Sequence, residues 1–246
     1  MKRFGGILLL LSVGTAAAYA SGTASSVSLG MLDATARESL VAAWEAEARG
    51  DSAKAARLAL LVATPQTVRV RVVHEDRMGG EEFNALLEDA LAEWEAANVS
   101  FVLTESACLE PHLTIVFRKR VQGVRGPIAG KTTSHRTVTA DGALSVRTTI
   151  EIATRSPFGC RLSESAIRKT ILHEVGHFMV LRDVSDPRDV MGPILLGGSN
   201  DARLEERHMQ AILQLNTEVS RLTRLSPSPI VEDPAYRRPV VFIFPS

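Results

Sequence analysis

Helical periodicity appears first near the start of the chain. Leu40, Val41, Trp44 and Ala48 fall on one stripe, and Ala55, Leu58, Leu61 and Val62 on another. Residues 37–62 are therefore predicted to form two short amphipathic helices. Gly50 is placed to end the first and Asp51 to cap the second. A single hairpin of this kind cannot bury its own apolar face. It is expected to pack on a larger domain, the alternatives being a partner-binding hairpin or an inhibitory pro-segment. The small, polar residues 21–36 read as a flexible lead.

Pro65 opens a different pattern. Thr67 to Val73 alternates at period two and predicts a strand. Phe83, Leu86, Leu87, Ala90, Leu91 and Trp94 then recur at helical spacing over residues 82–97. A short extended stretch follows at 101–104 and a second strand at 112–121, with Leu113, Ile115 and Phe117 on one face. Residues 129–139 are polar and β-prone, as a sheet edge should be. Asp141-Gly142 is a hairpin signal before another strand at 144–153. Ser163 is placed to cap a helix carrying Ile167, Ile171 and Leu172, and residues 202–222 predict a further helix. The tail from 226 is Pro-rich, with Val240 to Phe244 able to add a strand. Strands interleaved with helices in this order predict an α+β domain over residues 65–225 with a mixed, mostly parallel sheet. Residues 21–64 precede it and 226–246 follow it as a tail.

Composition narrows the function. Hydrophobic residues make up 45% of the 246, enough for a substantial core, and 28 basic residues balance 28 acidic ones. A nucleic-acid partner would call for a basic excess or stripe, which is missing. Lys2 and Arg3, the apolar run around Ile7 to Leu11, and Ala18-Tyr19-Ala20 have the order of a secretory signal over residues 1–20. The run is short for a bilayer span, so no stable membrane insertion is expected once the signal is cut. The reading is export, to the periplasm, the cell envelope or the medium. In an oxidising compartment Cys108 and Cys160 are expected to pair. Closing that loop stabilises a fold by about 4 kcal/mol in the chain-entropy picture.

The chemistry concentrates in His173-Glu174-Val175-Gly176-His177. On a helix, residues i and i+4 lie on one face, so both imidazoles can converge on one ion. Glu174, one position round, can reach a water beside the metal and take its proton. A surface helix with two incidental histidines is the plain alternative; chance produces this pattern in about one such chain in a hundred. The flanks favour a metal. Asp183 stands six residues beyond His177, followed by Asp186-Pro187-Arg188-Asp189-Val190-Met191-Gly192-Pro193.

From Ile171 to Pro193 the sequence resembles the metzincin clan of zinc peptidases, and within it the matrixin-like members. The order of elements over 67–225, with Glu93-Trp94 on the first main-domain helix, is similar in a looser way. The resemblance implies a metzincin-like zincin domain with an active-site helix and a C-terminal helix. It implies zinc held by His173, His177 and Asp183, the aspartate standing where snapalysin-type members carry one. Glu174 would be the general base, and Met191 the methionine of the turn beneath the metal. Pro193, Ile194 and Leu195 would line the pocket for the residue after the cut, and the 129–139 edge would receive a peptide as an added strand.

One position departs from the pattern. The family's glycine falls at Val180, and a β-branched residue resists the positive φ of a sharp helix exit. The expectation is that the turn differs here, or that the third ligand is Asp186 or Asp189. The first functional reading is an exported zinc endopeptidase acting on protein or peptide. The others are an inactive binding module of the same fold, and a hairpin-centred function with a structural zinc. Substrate preference and oligomeric state stay open.

Overall fold

The computed structural model describes residues 27–75, 80–105, 109–124, 126–139, 142–195, 200–224 and the strand backbone of 240–244. The expected signal over 1–20, Cys108 and most of the 226–246 tail lie outside the described residues.

The hairpin forms as the pattern predicts, as α1 (Ala34–Ala48) and α2 (Ser52–Leu60). The Asp33 carboxylate caps α1 by accepting from the amides of Thr35 and Ala36, and that of Asp51 caps α2 through Lys54 N–H. Residues 29–36 of the expected flexible lead are ordered structure instead: Leu29–Met31 form a 3-10 turn, Leu32 and Asp33 are buried, and α1 starts at Ala34. Leu32 is buried because it belongs to the hairpin's own apolar cluster.

The main domain runs β1 (Thr67–His74), α3 (Gly80–Trp94), β2 (Ser100–Leu103), β3 (Leu113–Arg118), β4 (Val121–Gly123), β5 (Gly126–Ile128), β6 (Gly130–Val138), β7 (Leu144–Ala153), α4 (Glu164–Phe178), α5 (Glu206–Arg224) and β8 (Val240–Phe244). It is α+β, with a mixed sheet in the order β2-β1-β3-β7-β6-β8; β4 and β5 form a separate small ribbon. The pairings β1–β2, β1–β3 and β3–β7 are parallel, whereas β6 pairs antiparallel with β7 and with β8. Ser163 caps α4, its hydroxyl accepting from Ala166 N–H.

Two apolar clusters hold the molecule. The larger is packed around the sheet, α3 and α4, with Trp94, Phe83, Phe117 and Phe178 fully buried. The Trp94 indole donates to the Leu172 carbonyl of α4 (3.3 Å), fixing α3 against the helix that carries the histidines. The smaller lies between the hairpin and α5 and contains Leu32, Leu40, Val180, Leu215 and Leu222. Among the described residues no helix is long and apolar enough to cross a membrane.

The strand predicted at 129–139 is β6, but it is not the outermost strand. β8 pairs with it from Thr132↔Phe244 to Arg136↔Val240. The unpaired N–H and C=O groups of a sheet edge recruit an apolar, β-prone segment when the chain has one within reach, and Val240-Val241-Phe242-Ile243-Phe244 is such a segment. β8 leaves both ends of β6 outside its register, Gly130–Lys131 and Thr137–Val138, and the Gly130 end lies beside the cleft described next.

Candidate metal centre

The last turns of α4 carry His173, Glu174 and His177, all buried to within a few per cent. Nε2 of His173 and Nε2 of His177 lie 3.1 Å apart. Asp183 Oδ1 lies 3.1 Å from the first and 3.2 Å from the second. Tetrahedral zinc with ligands at about 2.0–2.1 Å separates its ligand atoms by roughly 3.3–3.4 Å, so the triangle matches such an ion closely. Two neutral imidazoles and a carboxylate also form a suitable donor set. His173, His177 and Asp183 can therefore hold a metal ion.

The second ring nitrogens are occupied as a ligand site requires. Nδ1 of His173 lies 3.1 Å from the Val190 carbonyl, and Nδ1 of His177 lies 2.9 Å from the Leu181 carbonyl. A proton on each Nδ1, donated to these oxygens, leaves the Nε2 lone pairs free to face a metal ion. Burial disfavours charge on His177, yet the Asp183 and Glu174 carboxylates outweigh it and raise its pKa. Asp183 is also buried in part, but contact with both histidines holds its carboxyl well below the usual range.

Val180 decides how the third ligand arrives. Its φ is +61°, so the chain leaves α4 through the left-handed region despite the β-branched side chain. Val180 N–H donates to the His177 carbonyl (3.0 Å) and Leu181 N–H to the Gly176 carbonyl (2.9 Å). These are the paired bonds of a Schellman helix end, with valine where glycine usually sits. Strain of this kind costs about 1–3 kcal/mol. Burying the side chain, which is 0% exposed within the hairpin cluster, contributes about 1.5–3 kcal/mol. The expected change of turn is thus corrected: the turn is kept, because the isopropyl group has somewhere apolar to go.

The other two aspartates are committed elsewhere. Asp186 Oδ1 accepts from the backbone and side chain of Arg188. Asp189 is buried and accepts from Met191 N–H (2.7 Å), from His208 Nε2 (3.0 Å) and from Arg207. His208 is fully buried and, through Asp189, holds the turn that carries Met191. Met191 itself packs under α4 at Gly176. A Cβ there would collide with the Met191 sulfur and approach the Trp94 ring, so glycine permits the close approach.

Glu174 is as enclosed as His177. Its Oε2 accepts from the Thr132 hydroxyl of β6 at 2.7 Å. A Cβ at Gly130 would strike the Glu174 side chain, so the first residue of β6 must be small. Neither contact was anticipated. The signal was present: alternate residues Gly130, Thr132, Ser134 and Arg136 face inward in a strand whose two faces are both polar.

An open cleft of about 550 Å³ fronts this centre. Pro127 to Gly130 form one wall, Arg155 to Pro157 and Leu162 another, and Val184, Met191, Pro193 and Ile194 the far side. Pro193 and Ile194 line the cleft. Leu195 does not reach the cleft; it is 40% exposed, and its backbone is tied to the Asn200 side chain. Cys160 is exposed. No protein-family model matches this chain, and no curated protein matches its sequence.

Proposed function

We propose that this chain is an exported zinc endopeptidase with a metzincin-like catalytic domain. The observation that carries the reading is the His173–His177–Asp183 triangle with Glu174 beside it at the wall of an open cleft. When bound, zinc supplies Lewis acidity, bringing the pKa of a water toward neutrality and polarising a carbonyl. Glu174 takes the proton of the attacking water and returns it to the leaving amine. Thr132 occupies one carboxylate oxygen and so fixes which way the other points. The start of β6 at Gly130, with Ala129 before it, lies beside the cleft and outside the register of β8. A peptide is read to lie there, its following side chain among Ile128, Leu162, Val184 and Ile194, which suits an apolar residue.

The test is cleavage of an unfolded protein substrate by the full chain without residues 1–20, against Glu174→Ala, with zinc content measured on both. The expected outcome is cleavage by the wild type, loss of about a thousandfold or more in the variant, and equal zinc. Zinc bound by both with no cleavage by either would turn the reading toward a metal-stabilised binding module.

A further inference from the structure

We propose that the chain segment Met31–Asp33 is a permanent brace for the third metal ligand, which makes the N-terminal hairpin part of the metal centre rather than a removable segment. The inference rests on the metal-site reading and concerns how Asp183 is kept in place.

Between His177 and Asp183 the chain must leave the helix, reverse, and return a carboxylate to about 3 Å from both imidazoles. On the far side of Asp183, Val184 N–H donates to the Met191 carbonyl (3.0 Å), fixing the ligand to the turn below. On the near side the support comes from outside the domain. Asp33 N–H donates to the Val180 carbonyl (2.9 Å), and Arg182 N–H donates to the Met31 carbonyl (3.0 Å). These two bonds make an antiparallel bridge between Leu32 and Leu181. The Leu181 carbonyl within that bridge is the oxygen facing His177 Nδ1. One short ladder therefore holds the residues before Asp183 and the orientation of a second ligand together.

The brace is itself locked. Arg136, buried on β6, donates to the Leu61 and Ala63 carbonyls at the end of the hairpin and to the Phe178 carbonyl at the end of α4. Burial lowers its pKa to about 10, with the Asp33 carboxylate countering that. Val180 sits in the hairpin cluster, so the strained turn and the docked hairpin require each other. Without the hairpin, the isopropyl group would lose the part of its burial that residues 32–62 supply, leaving less to offset the positive φ. A removable inhibitory segment would release the site when taken away; a brace would loosen it.

Position 33 allows a clean separation. Asp33 has φ −61°, the proline value, and Leu32 before it is extended, as the residue ahead of a proline prefers. Asp33→Ala removes the helix cap and the charge facing Arg136 but keeps the N–H. Asp33→Pro removes the same two features and also the bond to Val180. Zinc affinity is measured for both full-length variants by competition with a chromophoric chelator, and Co²⁺ spectra report the coordination. The expected result is a dissociation constant about tenfold higher for Asp33→Pro than for Asp33→Ala, with weakened tetrahedral Co²⁺ bands. Equal affinities and spectra would overturn the brace while leaving the metal site standing. A wild type that binds no zinc would overturn the metal reading and the brace with it. If Asp33→Pro does not fold, linkage provides a second measurement on the wild type. Zinc should slow amide exchange at Asp33 and Arg182 by about the same tenfold, and leave Ala55 of α2 unchanged. Unchanged exchange at all three would overturn the proposal.

Discussion

The two apolar clusters are built from different materials. Around the sheet, stability comes from large side chains: Trp94, Phe83, Phe117, Phe178 and Ile115 are buried, each contributing about 1.5–3 kcal/mol by transfer from water. Between the hairpin and α5, much of the buried surface is alanine: Ala36, Ala43, Ala46, Ala55 and Ala59. Alanines let helices approach closely but bury little. That interface adds directional polar contacts instead. The Trp44 indole donates to Glu218 (2.6 Å), and Arg221 bridges Glu218 and Glu47 with two bonds to each. Arg136 pins the other end. A core of large side chains tolerates small trimming; an interface of alanines and buried charges depends on a few specific atoms.

The largest expected effect separates the two directly. Arg136→Met should cost about 3–5 kcal/mol, because it leaves Asp33 without its counter-charge and removes the donors to three carbonyls. Ile115→Val in the sheet core should cost only about 1 kcal/mol. Urea midpoints measure both, and similar shifts would erase the distinction.

Val180 yields a smaller and more diagnostic effect. Val180→Ala loses two methyl groups from the hairpin cluster and keeps the positive φ, for a cost of about 2 kcal/mol. Val180→Gly loses slightly more surface but releases the strain, so it should be no less stable than the alanine variant. At an ordinary helix position glycine is the worse of the two by about 1 kcal/mol. Thermal unfolding of the pair decides, and the ordinary order would contradict the strain account.

The smallest effect is in pH. Burial pushes the Glu218 carboxyl up, but hydrogen bonds from Arg221 and Trp44 outweigh that and hold it below the ordinary range. A depressed folded-state pKa stabilises above the unfolded value and is lost as pH falls through the folded one. Acidification below the usual glutamate range should therefore loosen the hairpin side first. Melting temperatures for the wild type and Glu218→Gln across that range should converge on the acid side.

Much of this was legible along the chain. Both hairpin helices, β1, β7, α4 with its Ser163 cap, and the strand at 240–244 follow from spacing and capping residues within a few positions. The histidine pair and Glu174 were legible because i and i+4 share a face in any helix. Thr132 and Gly130 were not, since their importance lies in facing a helix some forty residues away in sequence. Whether Leu195 lines a pocket was not legible either, since that depends on where a loop closes, and here its backbone is tied to the Asn200 side chain.

What the sequence determined alone is therefore local: which segments become helix or strand, and that two imidazoles and a carboxylate share one end of α4. Periodicity and caps act within a turn or two, and their consequences hold wherever the segment ends up. Tertiary structure decided the rest. Val180 read in isolation argues against the sharp turn, because its φ cost is local. The offsetting burial comes from residues 32–62 and from α5, brought there only by folding. Choosing Asp183 over Asp186 and Asp189 is likewise a question of which carboxylates already have partners, and those partners, Arg188, Arg207 and His208, are set by how the turn and α5 pack.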